Sequence, residues 1–505
     1  MSEDLRSAVL PSDVRSIFPG HRFVVVSNRE PYEHSYEGKP PKLVVRKPAG
    51  GLTSALDPLL QTIAGDWVAW GSGDADQAVT DAAGRVRVPP DDPRYTLHRV
   101  WLDQRDVEEY YLGYSNQLLW PLCHTRPSLT RIRAREFARY AAVNERFADA
   151  VLRATANEPA AIWFQDYHLA LAPRYVRTRK PNATSAHFWH IPFPPPEVFG
   201  VATRGPFILE GLLANDLVGF HLPSYCANFL RCVQQQLPVK VDWSRRAVIT
   251  AGHTCYVRAL PISIDVEEFE RAAAPPDAHI RLKRIQNRFA PNGERIGIGV
   301  DRVDYSKGLE EKLKALDLLW ERSPEWRERF TFVQVAVPTR THIDAYDRLN
   351  EKIEQMVAAI NERFGTQTWT PIQLLQESLP AERLALMYRL ADVCIVSSLQ
   401  DGMNLVAKEY VASQIDNNGI LLLSKFAGAI EELEGCVPMN PYDPESSADL
   451  IRIALEMRVA ERRARMQQLR ASLGGIYDWL QESFELWGAA ARGEDVPLSR
   501  ADQWT

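Results

Sequence analysis

Arg302 and Lys307 bracket the segment DRVDYSKG, just beyond the apolar run Ile296 to Val300. A guanidinium and an ammonium on a strand-to-helix loop can neutralise a diphosphate, the first through a bidentate fork and the second as a point charge. Asp301 and Asp304 interleave with them and could equally balance the pair in solvent. In a second segment, DGMNLVAKEY (401–410), Gly402 permits a tight turn and the amides of Met403, Asn404 and Leu405 open a helix. Such amides, with the helix dipole, favour a phosphate. Glu409, one turn further on, can accept hydrogen bonds from ribose hydroxyls. The alternative is an ordinary helix start with an exposed Lys408–Glu409 pair. Pro48-Ala49-Gly50-Gly51-Leu52 is a glycine loop that lets backbone approach a ligand closely. His190 precedes the proline cluster Pro192, Pro194, Pro195 and Pro196, which stiffens the segment displaying it. A lone histidine is more often a packed or surface residue than a catalyst. Asp74-Ala75-Asp76 has the short acidic pattern that can hold a metal, yet its polar setting, GSGDADQ, predicts a solvated surface turn. With two cations available for a diphosphate, no metal is needed there.

The elements that must position these residues alternate. Phe23 to Ser27, Val68 to Trp70, Ala161 to Phe164, Ser185 to His190 and Leu217 to His221 read as strands. Asp106 to Leu122, Arg135 to Ala156 and Tyr225 to Leu237 read as helices between and after them. The pattern loosens over 238–262, is irregular over 262–290, and resumes with strands at Ile296 to Val300, Phe332 to Val337, Ile372 to Leu375, Val393 to Ser397 and Ile420 to Ser424. Strands separated by helices favour parallel sheets with right-handed crossovers. Two such series predict an α/β chain of two doubly wound domains facing each other across a cleft. The expected division is a polar extension at 1–22, a first domain at 23–263, a second at 264–475, and a final helix and tail at 476–505. Ligands of open α/β sheets bind beyond the carboxyl ends of the strands. Asn28-Arg29, Asp166-Tyr167-His168, His190, Arg302 with Lys307, Arg340 and Asp401 all follow strands.

Composition narrows the function classes. With 505 residues, 45% hydrophobic and 25% charged, the chain can build cores of ordinary size. A net charge of −6 argues against general nucleic-acid or membrane-surface binding, which needs a basic excess. The six cysteines include no CxxC pair and suit reduced thiols. The early acidic residues and absent apolar core of MSEDLRSAVLPSDVRSIF predict no secretory signal, and a cytoplasmic location is expected. Neither GxxxxGK[ST] nor GxGxxG is present, which lowers the case for an NTPase or a dehydrogenase.

Taken in order, VVVSNR, GGL, WVAW, EEYYLGYSNQLLWP, WFQDYHL, HIPFPPPEVF, DLVGFH, VDRVDYSKGL, DGMNLVAKEY and LLLSKFAGA resemble the trehalose-6-phosphate synthases, from about Phe23 to Trp487. These are retaining glycosyltransferases of the GT-B fold. The resemblance implies a nucleotide-glucose donor, UDP-glucose foremost, and glucose 6-phosphate as acceptor, with no cofactor. It assigns Arg29, Tyr111, Trp120 and Arg340 to the acceptor's phosphate and Asp166 to the acceptor sugar. Gly50 and Gly51 would close over the donor, and Arg302 and Lys307 would bind its diphosphate. Asp401, with Gly402, Met403 and Asn404, would contact the donor glucose. Leu405, Val406, Ala407, Lys408 and Glu409 would serve the ribose and diphosphate, and Leu379 the base through its backbone. His190 would lie beside the transferred glucose, so that Arg302, Lys307, His190 and Asp401 form the catalytic group. A homo-oligomer is compatible with all of this.

Two features stand apart from the pattern. The segment Glu30 to Pro48 is longer than in the shortest members, and Gln400 replaces a basic residue often found before DGMNL. The stretch NREPYEH is also similar to glucosylglycerol-phosphate synthases, which use the smaller glycerol 3-phosphate. A catalytically inactive sugar-phosphate sensor is the remaining alternative, and the retained charged residues speak against it.

Overall fold

A computed structural model of the protein describes residues 14–47, 51–250, 252–340 and 342–504. Gly50 lies outside them. The chain divides into two compact units, residues 1–262 with 476–505, and residues 263–475.

The first unit is built on a ten-stranded sheet. Its spatial order is Lys240–Asp242, Ala247–Thr250, His253–Ala259, Leu217–Phe220, Thr184–Phe188, Ala160–Gln165, Arg22–Arg29, Asp66–Trp70, Tyr95–Val100 and Arg85–Val88. The pairings from His253–Ala259 through Tyr95–Val100 are parallel, and the two margins add antiparallel strands. The loosened pattern at 238–262 is therefore strand, not coil. Edge strands carry little apolar signal because only part of each is covered. Phe23, Val24, Val25 and Val26 are buried on both faces of the sheet, as a central parallel strand requires.

The helix Ala134–Thr155 lays Tyr140, Val143, Phe147 and Val151 into the core. The last helix, Ile476–Ala491, completes the same unit. Trp479 stacks on Trp163 at 5.3 Å, Trp487 donates to Thr184 Oγ1 at 2.9 Å, and Phe484 meets Phe23 at 5.6 Å. Truncating any of these rings would cost about 3–5 kcal/mol. Phe18 is also buried and packs on Trp487 at 4.5 Å, so the end of the expected polar extension belongs to the core.

The segment predicted as one helix from Asp106 to Leu122 is mostly π-helical. A capping box of Asp103 and Asp106 starts it, Val107–Leu119 follows, and Trp120 N–H closes onto Ser115 O, five residues back. Its wide turn is reinforced by Asn116 Nδ2 donating to Tyr111 O at 2.8 Å and Gln117 Nε2 to Leu112 O at 3.0 Å. Such π segments are rare and concentrate where a helix must present side chains to a site.

The added segment after Arg29 is a β-hairpin, Glu33–Glu37 paired with Lys42–Arg46. Asp74 and Asp76 fasten it; Asp74 is exposed, as a solvated turn predicts, whereas Asp76 is buried, which corrects that expectation. Asp76 is fully buried, and its Oδ1 accepts the His34 N–H at 2.9 Å, while Asp74 Oδ1 accepts that of Tyr36 at 2.9 Å. The fully buried Arg99 reaches Asp76 Oδ1 at 2.6 Å and Glu30 Oε2 at 2.9 Å. Burial and the adjacent Asp76 push the Glu30 carboxyl up to about 8. The Asp76 carboxylate, saturated by backbone amides and a guanidinium, is an anchor for the hairpin.

The second unit holds a six-stranded, all-parallel sheet in the order Ile372–Leu375, Phe330–Val337, Arg295–Arg302, Val393–Val396, Ile420–Ser424 and Val437–Met439. The 262–290 stretch, expected to be irregular, contains two helices, Val266–Ala273 and Ala278–Phe289. All six cysteines are free thiols. Among the described residues, no helix is long and apolar enough to cross a membrane.

Candidate active site

In the first unit the implicated side chains gather at the carboxyl ends of neighbouring strands. Arg29 ends its strand in register with Trp70, the last residue of the next. Trp67 Nε1 donates to Ser27 Oγ at 2.8 Å, and Ser27 Oγ donates to Arg29 O at 2.6 Å, which pins the strand end. Glu30, tied to Arg99, accepts the Ser72 N–H at 2.8 Å and so joins this corner to the loop after Trp70. Trp70 packs on Tyr111 at 5.7 Å, and Tyr111 stacks on His168 at 5.7 Å with an interplanar angle of 19°. Trp120, buried, packs on His124 at 4.1 Å and on Tyr167 at 5.9 Å. An aromatic row thus runs from the Arg29 corner to Asp166-Tyr167-His168.

Asp166 has φ of +69°, unusual for a residue with a side chain. Its backbone is held on both sides: its N–H donates to Phe188 O at 2.7 Å, and its carbonyl accepts from His187 Nε2 at 3.1 Å. Oδ1 accepts the His190 N–H at 3.2 Å. Strain of this kind persists where surroundings over-determine it, commonly at sites. His190 Nε2 donates to Gln165 Oε1 at 2.9 Å, and its carbonyl accepts from His221 Nε2 at 2.9 Å. Burial, with His221 and His187 nearby, lowers its pKa well below the usual histidine value, so the imidazole is neutral at physiological pH.

In the second unit the cationic loop and the DGMNL turn meet. Lys307 Nζ lies 2.6 Å from Asp401 Oδ2. The same oxygen accepts Ser398 Oγ and Asn404 Nδ2, each at 3.0 Å. Gly308 has φ of +63°, and a Cβ there would strike the Ser397 carbonyl, so only glycine lets the Lys307 turn sit this close. Arg302 ends its strand next to Asp301, which the buried Lys312 holds at 2.6 Å. Asn404 caps the helix Leu405–Ser413, its Oδ1 accepting the Ala407 N–H at 3.1 Å. The amides at this helix start can receive an anion.

Lys408 and Glu409 part company. Lys408 is fully buried and ion-paired with Glu432, so it anchors the helix rather than facing solvent. Glu409 is half-buried and accepts Tyr388 OH at 3.2 Å, and burial raises it to about 7. Leu379 is buried ahead of the helix Ala381–Leu390. Arg340, with φ of +52°, donates from Nη1 to Asp304 Oδ2 at 3.0 Å.

The sequence by itself marks no role for Trp70, Gln165 or Glu30, and it marks Asp304 only as a counter-charge to Arg302 and Lys307 and His168 only as a strand-end residue. An aromatic at a strand end was the available sign for Trp70. The partners of the others are distant in sequence and become visible only on folding.

The sequence pattern of glycosyltransferase family 20 matches residues 21–486. The trehalose-6-phosphate synthase of Mycolicibacterium smegmatis is 37% identical over 499 residues, covering 95% of this chain and 96% of the relative. The alpha,alpha-trehalose-phosphate synthase (UDP-forming) of Pichia angusta is 35% identical over 457 residues, 88% of this chain and 94% of its own. A solved E. coli structure bound with UDP-2-fluoro glucose matches with a TM-score of 0.81 at 31% identity, covering 92% of this chain and 99% of that one. The alpha,alpha-trehalose-phosphate synthase of Burkholderia xenovorans, in complex with glucose-6-phosphate, matches with a TM-score of 0.79 at 32% identity, covering 91% and 98%.

Proposed function

Because the chain belongs to glycosyltransferase family 20, we propose that it transfers glucose from UDP-glucose to glucose 6-phosphate, giving alpha,alpha-trehalose 6-phosphate with retention at the donor anomeric carbon. The observation that carries this reading is the pairing of Lys307 with Asp401 beside the helix start at Leu405. Cation, carboxylate and helix-start amides lie together, a set that suits a sugar diphosphate.

The roles follow from the chemistry of each group. Arg302 and Lys307 take up the charge that grows on the departing diphosphate. Asp401 accepts hydrogen bonds from donor hydroxyls. It is a poor nucleophile, since Oδ2 already accepts from Lys307, Ser398 and Asn404. That favours a front-face route. The anomeric C–O bond to the diphosphate breaks, the acceptor hydroxyl enters on the same face, and its proton passes to a diphosphate oxygen. Neutral His190 offers a ring that neither competes for the diphosphate nor titrates during turnover. Arg29, Tyr111, Trp120 and Arg340 suit the acceptor phosphate, and Asp166 its hydroxyls. Gly51 opens the helix Gly51–Ile63 rather than lying in a loop, and a backbone without a Cβ there suits close approach to the donor. Leu379 suits the base through its backbone, and Leu405, Val406, Ala407 and Glu409 suit the ribose and diphosphate, with Lys408 as their anchor.

The test crosses UDP-, GDP- and ADP-glucose with glucose 6-phosphate and glycerol 3-phosphate, reading product mass and anomeric configuration. Trehalose 6-phosphate from UDP-glucose is the expected product. Predominant glucosylglycerol phosphate, or an inverted linkage, would overturn the reading.

A further inference from the structure

Asp304 stands between Arg302 and Lys307 and is fully buried. Its two oxygens serve different masters. Oδ1 accepts the Ser306 N–H at 2.9 Å and so caps the short turn Tyr305–Lys307 that carries the Lys307 ammonium. Oδ2 accepts Arg340 Nη1 at 3.0 Å and Tyr346 OH at 3.2 Å. Tyr346 OH in turn accepts from Arg340 Nη1 at 2.6 Å, closing a triangle. The Arg340 side chain is only 5% exposed, and its guanidinium lies over the Tyr346 ring at 5.3 Å. The Arg340 backbone is in the left-handed region, which a residue with a Cβ adopts only when other contacts compel it. The Ile343 N–H donating to Arg340 O at 2.9 Å and the ion pair with Asp304 supply that compulsion.

We propose that Asp304 is a positioning residue that presents Arg340 to the acceptor's phosphate and ties it to the turn bearing Lys307. One carboxylate thereby sets an acceptor-binding arginine against a donor-binding lysine. A guanidinium whose Nη1 is shared between a buried carboxylate and a phenol keeps a fixed direction, and fixed direction is what phosphate binding by an arginine requires. The inference rests on the proposed assignment of Arg340 to the acceptor phosphate.

The test is Asp304→Asn. Asparagine keeps the shape and can still accept the Ser306 N–H through its oxygen, but it turns an amide donor toward Arg340. The expected result is a rise of about tenfold or more in KM for glucose 6-phosphate, with KM for UDP-glucose changed by less than about threefold. Adding Asp304→Asn to Arg340→Ala should raise the acceptor KM no further than Arg340→Ala alone, because the two act as a unit. A folded Asp304→Asn enzyme with unaltered acceptor KM, or additive effects in the double variant, would overturn the proposal. If Asp304→Asn does not fold, Tyr346→Phe removes the bridging phenol and leaves the carboxylate. A smaller acceptor-specific rise is then expected, and unchanged constants would count against the idea. Wild-type turnover is measured first. A wild type that makes no trehalose 6-phosphate refutes the proposed function itself, whereas an active wild type beside an indifferent Asp304→Asn refutes only this inference.

Discussion

Lys307 Nζ and Asp401 Oδ2 lie 2.6 Å apart, although 94 positions separate the two residues in the chain. The pair brings the cationic loop onto the DGMNL turn. Lys307→Ala should therefore do two things. Turnover should fall about 100- to 1,000-fold through loss of a group stabilising the leaving diphosphate. Stability should fall by about 1–3 kcal/mol because Asp401 keeps its burial and loses its cation. Arg302→Ala is expected to match the kinetic loss. Steady-state kinetics and thermal unfolding of the two variants check this, and near-normal turnover in either would contradict the assignment.

Glu409 should make nucleotide binding sensitive to pH. Burial raises its carboxyl to about 7. Above that value it is ionised and can accept from two ribose hydroxyls, and below it a proton occupies one oxygen. UDP affinity should weaken as pH falls from 8 to 6, by up to about tenfold per pH unit below the pKa. In Glu409→Gln the dependence should flatten, as calorimetric titration across that range would show. The folded-state value lies above the unfolded one, so the folded protein binds this proton more tightly. The stabilising contribution of the group is full below about pH 4.5 and is lost as pH rises toward 7.

Asp76 should matter for folding rather than for metal. Its carboxylate serves the hairpin amide at His34 and the Arg99 guanidinium. Asp76→Ala should destabilise the protein by about 3–5 kcal/mol, the usual cost of stripping one partner from a buried ion pair. Chelation should leave wild-type turnover largely intact. Complete loss of activity on chelation, restored by one particular metal, would contradict the prediction.

Trp70 should behave as an acceptor-site residue. Its ring backs Tyr111 at 5.7 Å, and it lies in register with Arg29. Trp70→Leu should raise KM for glucose 6-phosphate about tenfold and leave KM for UDP-glucose nearly unchanged. Equal shifts in both constants would place Trp70 in general packing instead.

Some of this was determined by the sequence alone. β-branched runs such as Phe23 to Val26 and Phe332 to Val337 must be buried strands, and helical patterns between them dictate parallel order. That order puts Arg29, Asp166, His190, Arg302 and Asp401 at strand ends, where open α/β sheets bind ligands. What only the tertiary structure decided is which charges meet. Asp76 looked like a solvated turn until Arg99 and the hairpin closed over it, and Lys408 looked exposed until Glu432 paired with it. Asp304 finds Arg340 across a strand and its following loop, and Tyr111 faces His168 only because a π-helical segment turns it there. Local periodicity is written in neighbouring residues, because it records which face of one element is apolar. An ion pair depends on the register and packing of two elements at once, and no stretch of sequence holds both.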